Sequence, residues 1–329
     1  MKKYACFALF AVLCFYTIVP AQSIKTENIL GADISFLPQL EARGIQFSDK
    51  GKTQDAILIL KEKGFNYIRL RVFVNPAADS GYSPKKGFCD LAHTLIMARR
   101  IKAAGLKILL DFHYSDTWAD PGKQFKPAAW AKLPFNELKK ALHLHTVTVL
   151  NALKEQNTFP DMIQIGNEIN HGILWPEGNT KNMDQLCALI KSGIDGVKQV
   201  NTSVPIMIHI ACGGQNKESI YFLDQLLARK INFDIIGQSY YPQWHGTLVD
   251  LENNFQDLSK RYKQDLILVE YTAHKKEVND IAFSITGKNR RGSFIWEPLN
   301  TWEQIFDKDG KSNAFIDLYP VISEQYLKN

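Results

Sequence analysis

Beyond its first 21 positions this 329-residue chain lacks any long apolar run, which excludes a multispan membrane protein. Cysteine is scarce. Of five, two fall in those first positions, leaving Cys89, Cys187 and Cys212. An odd count allows at most one internal bridge, and the spacing fits no metal motif, so buried thiols are the reading. Thirteen prolines and twenty glycines are spread out, so no linker-type or collagen-like segment exists. No repeat of fixed period appears. No Gly-rich phosphate loop follows the first apolar stretch, where Gly31-Ala32-Asp33 lies inside the strand itself. Charge of one sign is also missing. The 39 basic and 34 acidic residues give +5, too small and too dispersed for a nucleic-acid partner.

What is present begins with an export signal. Lys2 and Lys3 precede an apolar stretch from Ala5 to Val19, and Val19-Pro20-Ala21 offers small residues before a cut at Ala21/Gln22. The stretch is short for a membrane span. Ala11-Val12-Leu13 before Cys14 fits a lipobox poorly. Residues 1–21 are therefore expected to be removed, and the mature chain, 22–329, to end in the medium or the periplasm. A monomer without cofactor or bound metal is the expectation.

The mature chain alternates short apolar runs with longer amphipathic ones. Eight strands are predicted at Ile29–Ile34, Tyr67–Val72, Lys107–Phe112, Met162–Gly166, Ile206–Ile210, Phe233–Gln238, Leu266–Val269 and Ser293–Trp296. Most are almost wholly apolar, as parallel strands covered on both faces must be. Helices are predicted between them at Thr53–Lys63, His93–Ala104, Asn136–Lys154, Met183–Val200, Lys217–Ala228, Leu248–Tyr262 and Glu277–Phe283, with a last one at Ala314–Tyr326. Gly64 and Gly105 read as helix C-caps. Eight successive β-then-α units predict a single-domain (β/α)₈ TIM barrel of the α/β class.

Catalytic groups of such barrels project from the C-terminal ends of the strands. Here those ends carry Arg69 and Arg71; Asp111 and His113; Asn167 and Glu168; His209; Ser239, Tyr240 and Tyr241, then Trp244 and His245; Glu270; and Trp296 with Glu297. Two glutamates stand out. Glu168 and Glu270 follow the fourth and seventh strands, which lie on opposite sides of an eight-stranded ring. Carboxylates there can face each other about 5–5.5 Å apart, the spacing of retaining glycoside hydrolysis. Either alone reads better as a salt-bridged rim residue; the pair reads as catalytic.

The neighbours fit that chemistry. Asn167 can bond a sugar 2-hydroxyl. Arg69 can hold the nucleophilic carboxylate ionised, and Tyr240 is expected to donate to the same carboxylate. Trp296 offers a face for a pyranose ring, and Trp118, Trp130, Trp175 and Trp244 further surfaces. Trp130, among alanines, reads best as core, and Trp302 as a seal for the last helix. His113, His209 and His245 read as a polar floor. No His-x-x-x-His pair supports a metal.

These residues sit in longer motifs. The segment from Asp111 to Gln124 (DFHYSDTWADPGKQ), Gln164 to Asn170 (QIGNEIN) with Leu174 to Gly178 (LWPEG), Gly237 to Gly246 (GQSYYPQWHG) and Leu268-Val269-Glu270 resemble glycoside hydrolase family 53, the endo-β-1,4-galactanases. The resemblance runs from about Ile29 to Tyr319. It implies a retaining barrel hydrolase acting on the β-1,4-galactan of type I arabinogalactan, with Glu168 as acid/base and Glu270 as nucleophile. The pattern departs at Asn170-His171-Gly172, where a proline is usual in second place, and at Tyr271-Thr272-Ala273-His274. The stretch from Glu270 to Trp296 is short, which argues against the calcium-held loop of some bacterial members. Asp307-Lys308-Asp309-Gly310 reads as a tight turn as readily as a calcium loop. Related barrels acting on mannan, xylan or β-glucan, and a non-catalytic glycan binder, are the competing readings.

Overall fold

A computed structural model describes residues 1, 26–299 and 303–328. The expected signal peptide, Cys14 and Trp302 lie outside them. The eight strands are β1 (Glu27–Asp33), β2 (Tyr67–Val72), β3 (Lys107–Phe112), β4 (Met162–Ile165), β5 (Ile206–Ile210), β6 (Ile235–Tyr240), β7 (Asp265–Tyr271) and β8 (Arg290–Trp296). They close in sequence order, β8 pairing with β1, and every pairing is parallel. The helices are α1 (Ala56–Glu62), α2 (Leu91–Ala103), α3 (Phe135–Glu155), α4 (Met183–Val200), α5 (Asn216–Ala228), α6 (Leu248–Arg261), α7 (Lys275–Ser284) and α8 (Leu318–Tyr326). This is the (β/α)₈ barrel that the sequence predicts.

Local chemistry sets the boundaries. Asp55 and Asp90 cap α1 and α2 by accepting backbone N–H bonds, and Thr247 and Asp250 form a reciprocal capping box on α6. Gly64 and Gly105 follow α1 and α2 in the left-handed region that favours glycine, with φ of +96° and +75°, and end the helices as expected. The sixth strand starts two residues later than predicted. Just before it, Asp234 clasps the first residue of β5, its carboxylate accepting the Ile206 backbone N–H at 2.8 Å and its own N–H donating to Ile206 O at 2.9 Å. The final helix is split into a 3₁₀ turn, Ala314–Asp317, and α8. A short hairpin (Ser48–Asp49 with Lys52–Thr53) and short helices at Leu37–Glu41 and Pro242–His245 have no counterpart in the sequence prediction. Cys89, Cys187 and Cys212 are free and buried. Asp307 Oδ1 accepts the backbone N–H groups of Asp309 and Lys311, so the Asp307–Gly310 segment is a turn closed by its own carboxylate. No described helix is long and apolar enough to cross a membrane.

Two apolar layers hold the barrel. The outward faces of the strands pack under the helices. Inside the ring lies a separate plug of Ile29, Tyr67, Leu109, Met162, Met207, Ile235, Ile267, Val269 and Phe294. Gly31 leaves space for it, since a Cβ there would meet the Phe294 ring at 2.2 Å. Because side chains alternate along a strand, the inward residue two places after each plug residue forms the next layer. Tyr67 is followed by Arg69, Leu109 by Asp111, Met162 by Gln164 and Met207 by His209. The apolar plug thus supports a polar layer at the C-terminal mouth.

Phe294 fills the centre of the plug and is fully buried. Phe294→Ala is expected to lower unfolding free energy by about 3–5 kcal/mol. Urea unfolding followed by circular dichroism checks this; a loss below about 1 kcal/mol would show that the plug does not support the barrel.

Candidate active site

Arg69 projects from β2 into the centre of the polar layer and is 1% exposed. All five of its N–H donors are spent. Nη1 donates to Glu270 Oε1 at 2.6 Å and Asp33 Oδ2 at 3.0 Å. Nη2 donates to Asp111 Oδ2 and Asn167 Oδ1, both at 2.8 Å, and Nε to Gln164 Oε1 at 3.1 Å. Residues from β1, β2, β3, β4 and β7 therefore meet on one planar fork, the geometry that suits arginine and not lysine.

Glu270 reaches this point through a bulge. Strict alternation from Ile267 and Val269 would aim Glu270 outward. The register of β7 shifts against both neighbours: Leu268 faces Gln238 but Glu270 faces Ser239, and Leu268 faces Ser293 but Tyr271 faces Ile295. The extra residue turns Glu270 into the barrel and Tyr271 into the outer core. Tyr241 Oη donates to Glu270 Oε2 at 3.0 Å. This corrects the expectation for Tyr240, whose hydroxyl donates to Gly246 O at 3.0 Å instead. Tyr240 is the last residue of β6 and faces outward; Tyr241 has the parity of Gly237 and Ser239.

Glu168 follows β4 through Gly166 at φ +77° and itself adopts φ +48°, a left-handed conformation uncommon for glutamate. Gln124 Nε2 donates to Asn167 O at 2.8 Å and braces this turn. Glu168 Oε1 lies 2.6 Å from Ser239 Oγ, which lies 2.8 Å from His209 Nε2. An oxygen of Glu168, an oxygen of Glu270 and a ring nitrogen of His209 all lie within 4.8 Å of one another. His209 spends both ring nitrogens, and Glu270 both oxygens, on protein partners. Arg69 is the cation bonded to Glu270.

The two glutamates differ in surroundings. Burial, then the nearby Glu270 charge, pushes the Glu168 carboxyl up to about 8. Burial also raises the Glu270 carboxyl, with the Arg69 guanidinium opposing that rise. Burial and Arg69 hold His209 well below its ordinary range, so it is neutral.

Two recesses meet at Glu168. The first, about 690 Å³, is lined by both glutamates with His113, Trp118, Asn167 and Trp296 among others. The second, about 900 Å³, touches Glu168 but not Glu270 and is lined by Asn170, His171, Gln215, Glu218 and His245. Asp120, Tyr241 and Trp244 border both. The buried His113 ring faces the first recess, with Nδ1 3.1 Å from Asp111 Oδ2. Arg71 lies under Trp118, its guanidinium carbon 4.5 Å from the ring centre, and Trp118 meets Trp296 edge-on at 6.1 Å.

Of the predicted site residues, Arg69, His113, Trp118, Asn167, Glu168, Trp244, Glu270 and Trp296 line the first recess. Asp111 and His209 are fully buried beneath it and reach no groove surface. Trp130 is core, as its alanine neighbours suggested. Trp175 lines neither recess; its Nε1 donates to His171 O. Asp33, Asp120 and Tyr241 were not singled out. The parity of β6 is the signal that would have chosen Tyr241 over Tyr240.

The chain is similar to known proteins across nearly its whole length. The family model described as Glycosyl hydrolase family 53 matches residues 29–301. An uncharacterized protein of Niallia circulans is 45% identical over 74% of this chain and 66% of its own length, slightly less than two thirds. Arabinogalactan endo-beta-1,4-galactanase A of Aspergillus niger is 39% identical over 91% of this chain and 93% of that one. The solved GH53 catalytic domain of Ignisphaera aggregans superposes with a TM-score of 0.83 at 32% identity, covering 94% of this chain and 99% of that one.

Removing the guanidinium would leave Asp33, Asp111 and Glu270 buried without their common cation. Arg69→Met is expected to cost about 3–5 kcal/mol of stability at pH 7. Equilibrium unfolding measures it, and a cost under 1 kcal/mol would mean that the carboxylates are balanced elsewhere.

Proposed function

The chain belongs to glycosyl hydrolase family 53, and from that premise we propose that it is an arabinogalactan endo-β-1,4-galactanase acting by retention. The observation that carries this reading is the placement of Glu168 and Glu270 oxygens within 4.8 Å of each other, with the Arg69 guanidinium bonded to Glu270 and not to Glu168. Glu270 is ion-paired to Arg69 and hydrogen-bonded by Tyr241, as a nucleophile kept ionised should be. Glu168 has its carboxyl raised, as an acid that must start protonated should.

In the first step Glu270 attacks the anomeric carbon while Glu168 gives its proton to the leaving glycosidic oxygen. The bond from carbon to that oxygen breaks, and a galactosyl ester of Glu270 forms. In the second step Glu168, now a carboxylate, takes a proton from water, whose oxygen replaces Glu270 at the same carbon. Asn167 Nδ2 spends one hydrogen on Ala119 O at 2.8 Å and keeps the second for a sugar 2-hydroxyl. His113, whose Nδ1 lies 3.1 Å from Asp111 Oδ2, faces the same recess and is placed for another hydroxyl. Trp118 and Trp296 supply apolar faces for pyranose rings.

Because Glu168 borders both recesses and Glu270 only the first, the first recess suits the sugar that is attacked and the second the leaving chain. Space on both sides of the scissile bond supports cleavage within a polymer. The export expected from residues 1–21 would bring the enzyme to a polysaccharide outside the cell.

Glu270→Gln is expected to abolish turnover of pectic β-1,4-galactan with the melting temperature little changed; near-normal activity removes the nucleophile assignment. Glu168→Ala should lose about 10²–10⁴-fold on galactan and recover with azide on aryl galactosides bearing good leaving groups. Absence of rescue removes the acid/base role. A ladder of galacto-oligosaccharides from galactan, and none from mannan or β-glucan, is the expected product pattern.

The proton on Glu168 must be present for the first step. Its raised pKa means that it is held below about pH 8 and lost above it. The basic limb of kcat/KM should therefore lie near pH 8. A limb near an ordinary carboxyl pKa would contradict the assignment.

A further inference from the structure

We propose that a one-way chain of hydrogen bonds, beginning at Arg69 and running through Asn167, His209 and Ser239, holds the proton of Glu168 on Oε1 in the resting enzyme. Ser239 and His209 are then positioning residues for the acid. The inference rests on the reading of Glu168 as acid/base.

Arg69 only donates. Its Nη2 bond of 2.8 Å therefore identifies the oxygen of the Asn167 amide, and the Nδ2 bond to Ala119 O agrees. Asn167 Oδ1 also lies 2.9 Å from His209 Nδ1. Two bare acceptors at that distance would repel, so the proton between them belongs to Nδ1. Gln164 Nε2 lies 3.1 Å from the same nitrogen, but its two hydrogens have closer acceptors in Asp111 Oδ1 at 2.7 Å and Gly166 O at 3.0 Å. The Glu168 backbone N–H also points at Nδ1 but from 3.4 Å, the longest approach of the set.

With Nδ1 protonated and the ring neutral, Nε2 is an acceptor. It lies 2.8 Å from Ser239 Oγ, so the single serine hydrogen points at His209. The Ser239 oxygen can then only accept in its 2.6 Å contact with Glu168 Oε1. The proton of that contact is the carboxyl proton. A second ring proton on His209 would reverse the chain, but the ring is fully buried and lies near Arg69, His113 and His245.

During the first chemical step the carboxyl makes a half-turn about Cγ–Cδ and presents its O–H to the glycosidic oxygen. The Glu168 O–H bond breaks and the leaving-group O–H bond forms. Ser239 keeps its hydrogen on His209 Nε2, so the new carboxylate faces a serine oxygen and not a donor. The glycosyl-enzyme state thus leaves the Glu168 anion without a hydrogen bond from Ser239, which favours return of a proton from water to Glu168.

The direction of the Ser239 bond sets the sign of a measurable shift. If Ser239 accepts, it stabilises the neutral carboxyl, and Ser239→Ala lowers its pKa. If Ser239 donates, the same change raises it. The other groups facing Glu168 stay in place: Glu270 from β7, Arg69 from β2, Asp120 from the loop after β3, and Cys212 after β5.

Ser239→Ala is expected to move the basic limb of kcat/KM down by about half a unit to one unit, with Ser239→Thr restoring it. An upward move, or none, overturns the proposal. ¹⁵N NMR of histidine-labelled mature protein supplies a readout independent of activity. The His209 signal, located by its shift in Ser239→Ala, should report Nδ1–H; an Nε2–H tautomer overturns the chain. Azide rescue of Glu168→Ala separates the two levels. Rescue with an upward limb shift removes only the wiring, whereas failed rescue removes the acid/base reading itself.

Discussion

One buried guanidinium organises this molecule's mouth. Arg69 brings five donors to five acceptors drawn from Glu270, Asp33, Asp111, Asn167 and Gln164. Burying three carboxylates is costly unless each is paired and hydrogen-bonded. Here a single cation serves all three, and its planar fork fixes their directions as well as balancing their charge. A lysine would supply the charge at one point and leave most acceptors unmet. The barrel supplies the placement, since Arg69 stands directly above the apolar plug that contains Tyr67.

The barrel's regularity explains most of the site, and its irregularities explain the rest. Alternation along β2, β3, β4 and β5 raises Arg69, Asp111, Gln164 and His209 into one layer. The two glutamates do not follow that rule. Glu270 needs the bulge in β7, and Glu168 needs a left-handed turn after β4. Tyr114 and Glu297, at other strand ends, also adopt positive φ, of 50° and 43°. Strain of order 1–3 kcal/mol per such residue persists only where surrounding packing over-determines the backbone. The dry plug below and the Arg69 fork beside them provide that packing. Rigidity at the base and strain at the rim are parts of one arrangement.

The sequence therefore reveals the fold more fully than it reveals the site. Strand and helix positions follow from apolar runs, caps and terminating glycines, all of them local. Arg69, Glu168 and Glu270 are legible because they directly follow or lie within such runs. Tyr240 and Tyr241 both lie at the end of β6, and a one-residue difference in parity separates inside from outside, so the role expected of Tyr240 falls to Tyr241. Asp111 and His209 were read as groove residues, whereas two more steps along their strands were needed to reach the surface. The hairpin at Ser48–Thr53 and the helix at Pro242–His245 are too short to carry a periodic signal.

In the proposed mechanism two chemically identical side chains hold opposite proton states at less than 5 Å. Mutual repulsion raises the cost of ionising both but does not choose between them. The choice comes from asymmetry in what each touches. Glu270 touches the guanidinium itself and the Tyr241 hydroxyl, both of which donate and favour the anion. Glu168 touches only Ser239, whose hydroxyl takes either sense of hydrogen bond and so follows whatever lies behind it. Behind it lie His209 and then Asn167, whose amide is oriented by the same guanidinium. Arg69 thus acts on one carboxylate by direct charge and on the other through three intervening residues with reversed hydrogen-bond sense. The retaining hydrolysis proposed for this chain needs that division of roles before a substrate arrives, and a single arginine is positioned to impose it.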